Sequence, residues 1–314
     1  MEPRSHEAPR STLKASSIMP RDWETDFRAW AAAPSRTQEQ KAENAEGMVH
    51  KAIAASPQLQ QKNIEVFTQG SYRNRTNVRE ESDVDVCVRC MDSFFGDYST
   101  VTWEQATVNK ATYMFPEFKN DVEVALRSYF GDDGVHRGDK AFDIHENTYR
   151  IDADVVACLE HRRWYRTGSG IYYLSGIEFI AGGKRVISWP HQHYQNGIQK
   201  NEATSRRFKR TVRILKRLRN GMAENGNKVA RGIPSYLVEC LVWNAPNEAF
   251  NHSTYTADVR WSLAHLWNNT RDPSTCGEWG EVNELKYLFR EGQPWTREQA
   301  WSFVNEAWNY IGFE

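Results

Sequence analysis

Two aspartates, Asp83 and Asp85, head the run Asp83-Val-Asp-Val-Cys87. Side chains alternate on an extended strand, so both carboxylates point one way while Val84 and Val86 point the other. Like charges held that close repel unless a cation sits between them. A pair of divalent ions bridged to a nucleoside triphosphate is the usual reason to build such a site. The plainer alternative is a D-x-D on the solvated face of an edge strand. What favours the metal reading is Gln69-Gly70-Ser71 upstream, a glycine turn after an apolar run. Its free backbone N–H groups and serine hydroxyl suit a phosphate. Two metals about 3.5–4 Å apart need a third carboxylate from a neighbouring strand. Tyr149 to Cys158 reads as such a strand and offers two candidates on one face, Asp152 and Asp154.

Helical and extended segments must position these groups. Trp23, Phe27 and Trp30 recur at helical spacing from Pro20 onward, and Thr37 with Gln40 reads as a capping box for a long helix. That helix carries Ala42, Ala45, Val49 and Ile53 on one face and ends near Ser56-Pro57. Asn63 to Thr68 reads as a strand, Gly70-Ser71 as a turn, and Ser82 to Arg89 as the next strand. Trp103 to Phe115 and Asn120 to Phe130 read as helices, and Ala141 to Glu146 pairs with the Tyr149 strand through a tight turn at Asn147. Thr167 to Gly197, rich in glycine and aromatics, reads as a strand and long loops at a lobe boundary. Helical patterns then dominate: Ala203 to Asn220, Pro234 to Asn244, Thr256 to Asn268, Val282 to Phe289 and Thr296 to Tyr310. Mixed strands followed by helices predict an α+β fold, a catalytic lobe with a helical lobe behind it. The expected division is a loose tail over 1–19, a catalytic lobe over 20–198 and a helical lobe over 199–314. No internal repeat or low-complexity tract interrupts this plan.

Composition bounds the partners. The 314 residues can bury a full core, and 12 Trp, 13 Tyr and 14 Phe supply the aromatic bulk that disordered chains lack. With 40 basic and 41 acidic residues the net charge is −1, so no overall field draws the chain to long nucleic acid or to a membrane. No window has the apolar length of a membrane span, and five cysteines without a secretory leader predict reduced thiols and a cytoplasmic protein.

Gly70-Ser71, Asp83-Val-Asp85 and the later Asp154-Val-Val together resemble the DNA polymerase-β superfamily of nucleotidyltransferases. Within it, the long N-terminal helix, the form GSYRNRT-x-V-x-x-x-SDVDV and the helical second lobe resemble the bacterial cGAS/DncV-like nucleotidyltransferases. The resemblance runs from about Pro20 nearly to the end. It implies a bilobal enzyme with a mixed-sheet catalytic lobe, a long N-terminal spine helix and a helical C-terminal lobe. Such an enzyme joins nucleoside triphosphates, ATP and/or GTP, into cyclic di- or oligonucleotide second messengers with Mg²⁺, or Mn²⁺ in its place. The family usually serves antiphage defence, so a downstream effector would receive the product, and regulatory partner proteins fit the same picture.

Carried over by position, Asp83 and Asp85 match the family's metal-binding pair, and Gln69, Gly70 and Ser71 its triphosphate-holding turn. Asp154-Val-Val-Ala fits the third acid better than Asp152, although Ala157 stands where the family often has proline. Lys216 resembles the lysine aimed at the triphosphate, and Ser235-Tyr236 the pair that binds phosphate and stacks a base; an ammonium and an aromatic ring suit those tasks. For most of the remaining basic residues between Arg206 and Arg219 an ordinary solvated helix face is as good a reading as a functional one.

Cys87-Val-Arg-Cys90 has metal-like spacing, but positions i and i+3 of a strand face apart and no second pair follows, which favours buried thiols. His191 and His193 are expected to be structural or to contact nucleotide rather than to bind zinc. The C-terminal Asn309 to Glu314 reads as an ordinary chain end, although in some relatives the terminus is conjugated to other proteins.

Overall fold

The computed structural model describes residues 21–78, 83–145, 147 and 149–313. The tail expected over 1–19, Pro20, Ser82, Glu146 and the terminal Glu314 lie outside the described residues.

The N-terminal elements are helices α1 (Trp23–Trp30) and α2 (Arg36–Ala54), strand β1 (Ile64–Thr68), the short helix α3 (Gly70–Asn74) and strand β2 (Val84–Asp97). Helix α2 opens at a capping box of Ser35 and Gln38, two residues before the expected one, because Ser35 keeps extended backbone while Thr37 already lies in the first turn. Next come α4 (Trp103–Ala106), α5 (Phe115–Phe130), β3 (Val135–Arg137), β4 (Phe142–Ile144) and β5 (Ala153–Thr167). The helix expected over Trp103 to Phe115 stops after one turn, where Thr107 takes left-handed backbone at φ 53°. Helix α5 starts earlier than expected, with Pro116 in its first turn.

The stretch expected to be mostly loop is ordered sheet and helix: β6 (Gly170–Ala181), β7 (Lys184–Ser188) and α6 (Pro190–Ala203). Gly182 and Gly183, at φ 54° and 73°, make the turn between the two strands. A glycine pair marks a hairpin as readily as a loop, which is why composition misleads here. The C-terminal elements are α7 (Arg207–Glu224), α8 (Lys228–Arg231), α9 (Ser235–Asn244), α10 (Tyr255–Thr270), α11 (Pro273–Cys276) and α12 (Arg297–Ile311). The helix expected over Val282 to Phe289 is absent; this segment folds back through a bridge between Gly280 and Tyr287, with Glu284 at φ 59°.

The strands form one seven-stranded mixed sheet in the order β1-β2-β5-β4-β3, with β6 against β5 and β7 against β6. Strands β2 and β5 run parallel at its centre, and their neighbours are antiparallel. Val84, Val86 and Val88 are fully buried in a core with Phe118 and Leu126 of α5 and Ala45 and Val49 of α2. A second core, among Phe208, Leu215, Leu237, Leu263 and Phe303, holds the C-terminal helices together. Phe27 and Ala31 belong to this second core, so the N-terminal helix α1 and the residue that follows it pack on the helical half. Arg213 fastens the junction by donating to the carbonyls of Ala31 and Arg75, each at 2.6 Å.

Candidate active site

Pairing register determines which acids meet. Val86 and Val88 fix which face of β2 is buried, and that leaves Asp83 and Asp85 on the opposite face, Asp83 exposed and Asp85 half-buried. The parallel register places Asp85 beside Asp154 on β5, and the antiparallel register places Asp154 beside Asp143 on β4. Asp85, Asp154 and Asp143 thus form a row across three adjacent strands. Asp152 lies just before β5, where its carbonyl accepts the Val84 N–H at 2.9 Å and its charge bears on Asp83.

The carboxyls perturb one another. Burial and then the charges of Asp85, Asp83 and Asp143 push Asp154 up to about 6, against the opposing pull of Lys140. Burial raises Asp85, again opposed by Lys140, whose ammonium is 4.0 Å from Asp85 Oδ1. Asp83 is raised by burial and by Asp152, Asp85 and Asp143. Among the described residues no three Asp, Glu, His or Cys side chains lie close enough as they stand to hold one ion. The donors are nonetheless all carboxylate oxygens, the set that suits Mg²⁺ or Mn²⁺.

Asp154→Asn separates charge from geometry in this row. The Asp154 carboxyl is raised from its ordinary 3.8 to about 6, so the folded protein binds more protons than the unfolded chain between those values. Stability then falls as pH rises through that window, and the full penalty is present above about 6. Removing the carboxyl should raise the melting temperature at pH 7.5 and leave it nearly unchanged at pH 4, both without metal. A gain that is larger at pH 4 than at pH 7.5 would contradict the sign.

The Gly70-Ser71 turn sits against the row. Gln69 donates its N–H to the Asp85 carbonyl at 2.8 Å, and Gly70 takes φ 66° at the start of α3. A Cβ at Gly70 would collide with Asp85 Oδ2, so both the backbone conformation and the close approach demand glycine. Gly70→Ala is expected to cost about 1–3 kcal/mol of stability and to displace Asp85. Thermal melts and product rate check this, with wild-type values in both as the contrary result.

The helical half meets the catalytic lobe through a buried ion cluster. Lys216 does not project into open space; it is buried, with its ammonium 2.6 Å from Glu239 Oε2 and 3.2 Å from the Thr76 hydroxyl. Thr76 also donates to Glu239 at 2.7 Å, and His193 meets the other Glu239 oxygen at 2.9 Å. Burial would raise Glu239, but Lys216 and His193 outweigh it and hold the carboxyl far below the usual range. This cluster ties α6, α7 and α9 to Thr76, just after helix α3.

Ser235 is exposed at the start of α9. The Tyr236 ring stacks on His193 with centroids 5.7 Å apart, and its hydroxyl donates to Glu281 at 2.9 Å. His191 goes elsewhere, lining a cavity of about 530 Å³ with Phe67, Arg73, Arg89 and Ser175, whereas His193 faces Glu239. All five cysteines are free and buried, Cys87 Sγ lying 3.4 Å from Cys158 Sγ.

Residues 195–312 match the cGAS/DncV-like nucleotidyltransferase C-terminal helical domain. The chain is 45% identical to the cyclic dipyrimidine nucleotide synthase CdnE of Legionella pneumophila, over 92% of this chain and 98% of that protein. It belongs to the cGAS/DncV-like nucleotidyltransferases. The synthase of the same description from Cecembia lonarensis is 41% identical over the same shares. The structure of the Elizabethkingia meningoseptica CdnE cyclic dinucleotide synthase with GTP and Apcpp superimposes with a TM-score of 0.77 at 34% identity, covering 92% of this chain and 99% of that one. The expected bilobal polymerase-β-type architecture therefore holds. No helix among the described residues is long and apolar enough to cross a membrane.

In this cGAS/DncV-like nucleotidyltransferase, three groups of the site carry little or no signal in the sequence. Asp143 and Lys140 sit on a short β-hairpin with no motif of its own, and only strand register brings them to Asp154 and Asp85. Glu239 lies four residues after Ser235, and a glutamate on an otherwise apolar helix is the one sign that marks it.

Proposed function

We propose that this nucleotidyltransferase condenses two pyrimidine nucleoside triphosphates into a cyclic dinucleotide, in two successive in-line phosphoryl transfers, and that the product acts on a downstream effector. The observation that carries the reaction type is the row of carboxylates at one register, set against a turn whose positive φ and close approach to Asp85 favour glycine. The base preference rests on the relatives: those at 45% and 41% identity are named for dipyrimidine products, whereas the 34% relative was solved with the purine nucleotides GTP and Apcpp.

Asp83, Asp85 and Asp154 would hold Mg²⁺ or Mn²⁺, which supplies positive charge to the transferring phosphate and to the attacking hydroxyl. Gln69, Gly70 and Ser71 hold the triphosphate at the edge of the acidic row. Asp154 also takes the proton of the attacking hydroxyl, a role that its place between Asp85 and Asp143 at the centre of the row suits. Asp154 serves in preference to Asp152, because it is centred in the row and feels the charge of Asp85, while the charge of Asp152 bears on Asp83. Ser235 and Tyr236 face the nucleotide from α9. Lys216 acts through Thr76 and Glu239, fixing the chain just after helix α3. Positioning and electrostatics carry most of the rate in such transfers.

The purified protein is incubated with labelled UTP, CTP, ATP and GTP, singly and in pairs, with Mg²⁺, treated with phosphatase and followed by mass spectrometry. The expected product is a phosphatase-resistant cyclic dinucleotide containing pyrimidines. A purine-only product overturns the base preference; no resistant product from any mixture, or label on added RNA or protein instead, overturns the synthase reading.

A further inference from the structure

The acidic row has to receive a triphosphate, and four carboxylates repel one unless cations stand among them. Lys216 spends its ammonium on Glu239 at 2.6 Å and is buried. Lys140 is differently placed. It lies 4.0 Å from Asp85 Oδ1, beyond hydrogen-bond distance, and its side chain is 57% exposed, so it faces the carboxylates without being locked to one of them.

The turn that carries Lys140 is held in place although the side chain is exposed. The Gly138 N–H donates to the Ala141 carbonyl at 2.8 Å, closing the β3–β4 hairpin. Lys119, buried on α5, reaches across to donate to the carbonyls of Asp139 at 2.7 Å and Gly138 at 3.3 Å. The turn is thus tied to the body of the catalytic lobe immediately before Lys140. Three residues later, Asp143 of the same hairpin stands beside Asp154 in the row. An exposed ammonium on a fixed base beside the acidic row is placed to meet a phosphate oxygen.

We propose that Lys140 is a further catalytic residue, whose ammonium binds a non-bridging phosphate oxygen of the nucleotide being transferred and stabilises the charge that builds there. The proposal rests on the nucleotidyltransferase reading of the site. Its opposite is that Lys140 only neutralises Asp85 when no ligand is present, and the two make different predictions.

Lys140→Ala and Lys140→Arg are compared with wild type at saturating Mg²⁺ for kcat and for nucleotide KM. Lys140→Ala is expected to lower kcat about 10²-fold with a smaller change in KM, and Lys140→Arg to recover part of it because the charge remains. An unchanged kcat at saturating Mg²⁺, with only the metal requirement altered, overturns the proposal. Binding of Mn²⁺ alone, followed by electron paramagnetic resonance without nucleotide, reads the geometry independently of any product. Removing the ammonium should tighten Mn²⁺ by about two- to fivefold, the size of an exposed charge pair; unchanged affinity means that Lys140 does not face the carboxylates and also overturns it. If wild type binds Mn²⁺ in this way but forms no product, the synthase reading fails rather than the placement of Lys140.

Discussion

Replacing Asp83 and Asp85 together by alanine is expected to lower product formation by on the order of 10³-fold or more while the protein stays folded. Asp83 is exposed just before β2 and Asp85 is half-buried, and both point away from the fully buried Val84, Val86 and Val88, so their removal leaves those valines packed. It also relieves repulsion, because Asp85 and Asp83 both push Asp154 upward. The double variant should therefore melt no lower than wild type in magnesium-free buffer. More than a tenth of wild-type rate in the variant would show that the metal-binding pair has been misplaced.

Glu239→Ala is expected to cost about 3–5 kcal/mol, because it strands a buried ammonium and removes the partner of two other groups. Glu239 is 3% exposed and Lys216 2% exposed, so water does not replace the lost carboxylate. The cost is that of an uncompensated charge, not the net worth of the pair. Glu239→Ala combined with Lys216→Met should therefore recover much of the loss, since a buried pair removed as a unit is often near neutral. Urea denaturation of the two variants and wild type measures this. A single-variant loss under about 1 kcal/mol would mean that the cluster is hydrated and its partners loosely held. Because Thr76 is bound to the same carboxylate, the single variant should also slow catalysis more than its fraction unfolded explains.

The elements with strong local signals are legible in the residues themselves. The D-x-D pair, the glycine at position 70 and the apolar face of α2 follow from side-chain alternation and helical spacing, both local rules. The errors share a cause in the same rules. A capping box can be read two residues late when Ser and Thr both stand near a helix start. The segment at Val282 to Phe289 has helix-compatible residues, but Glu284 adopts left-handed backbone within a fold-back closed by Gly280 and Tyr287. Strands β6 and β7 are hidden because their glycine turn and aromatic residues resemble a loop when no partner strand is in view.

Local pattern is enough to put Asp83 and Asp85 on one face, to mark Gly70 as a position where the chain bends, and to follow a mixed sheet with a helical half. Those are consequences of backbone periodicity and of glycine's freedom. Which acid stands beside Asp85 is settled only on folding, because the choice between Asp152 and Asp154 is a matter of register between β2 and β5. Folding also brings Asp143 and Lys140 into the site from a hairpin, and buries Lys216 against Glu239 instead of leaving it open. Register and ion pairing across distant segments depend on burial and on charges brought together in space, and neither is encoded in the spacing of neighbouring residues.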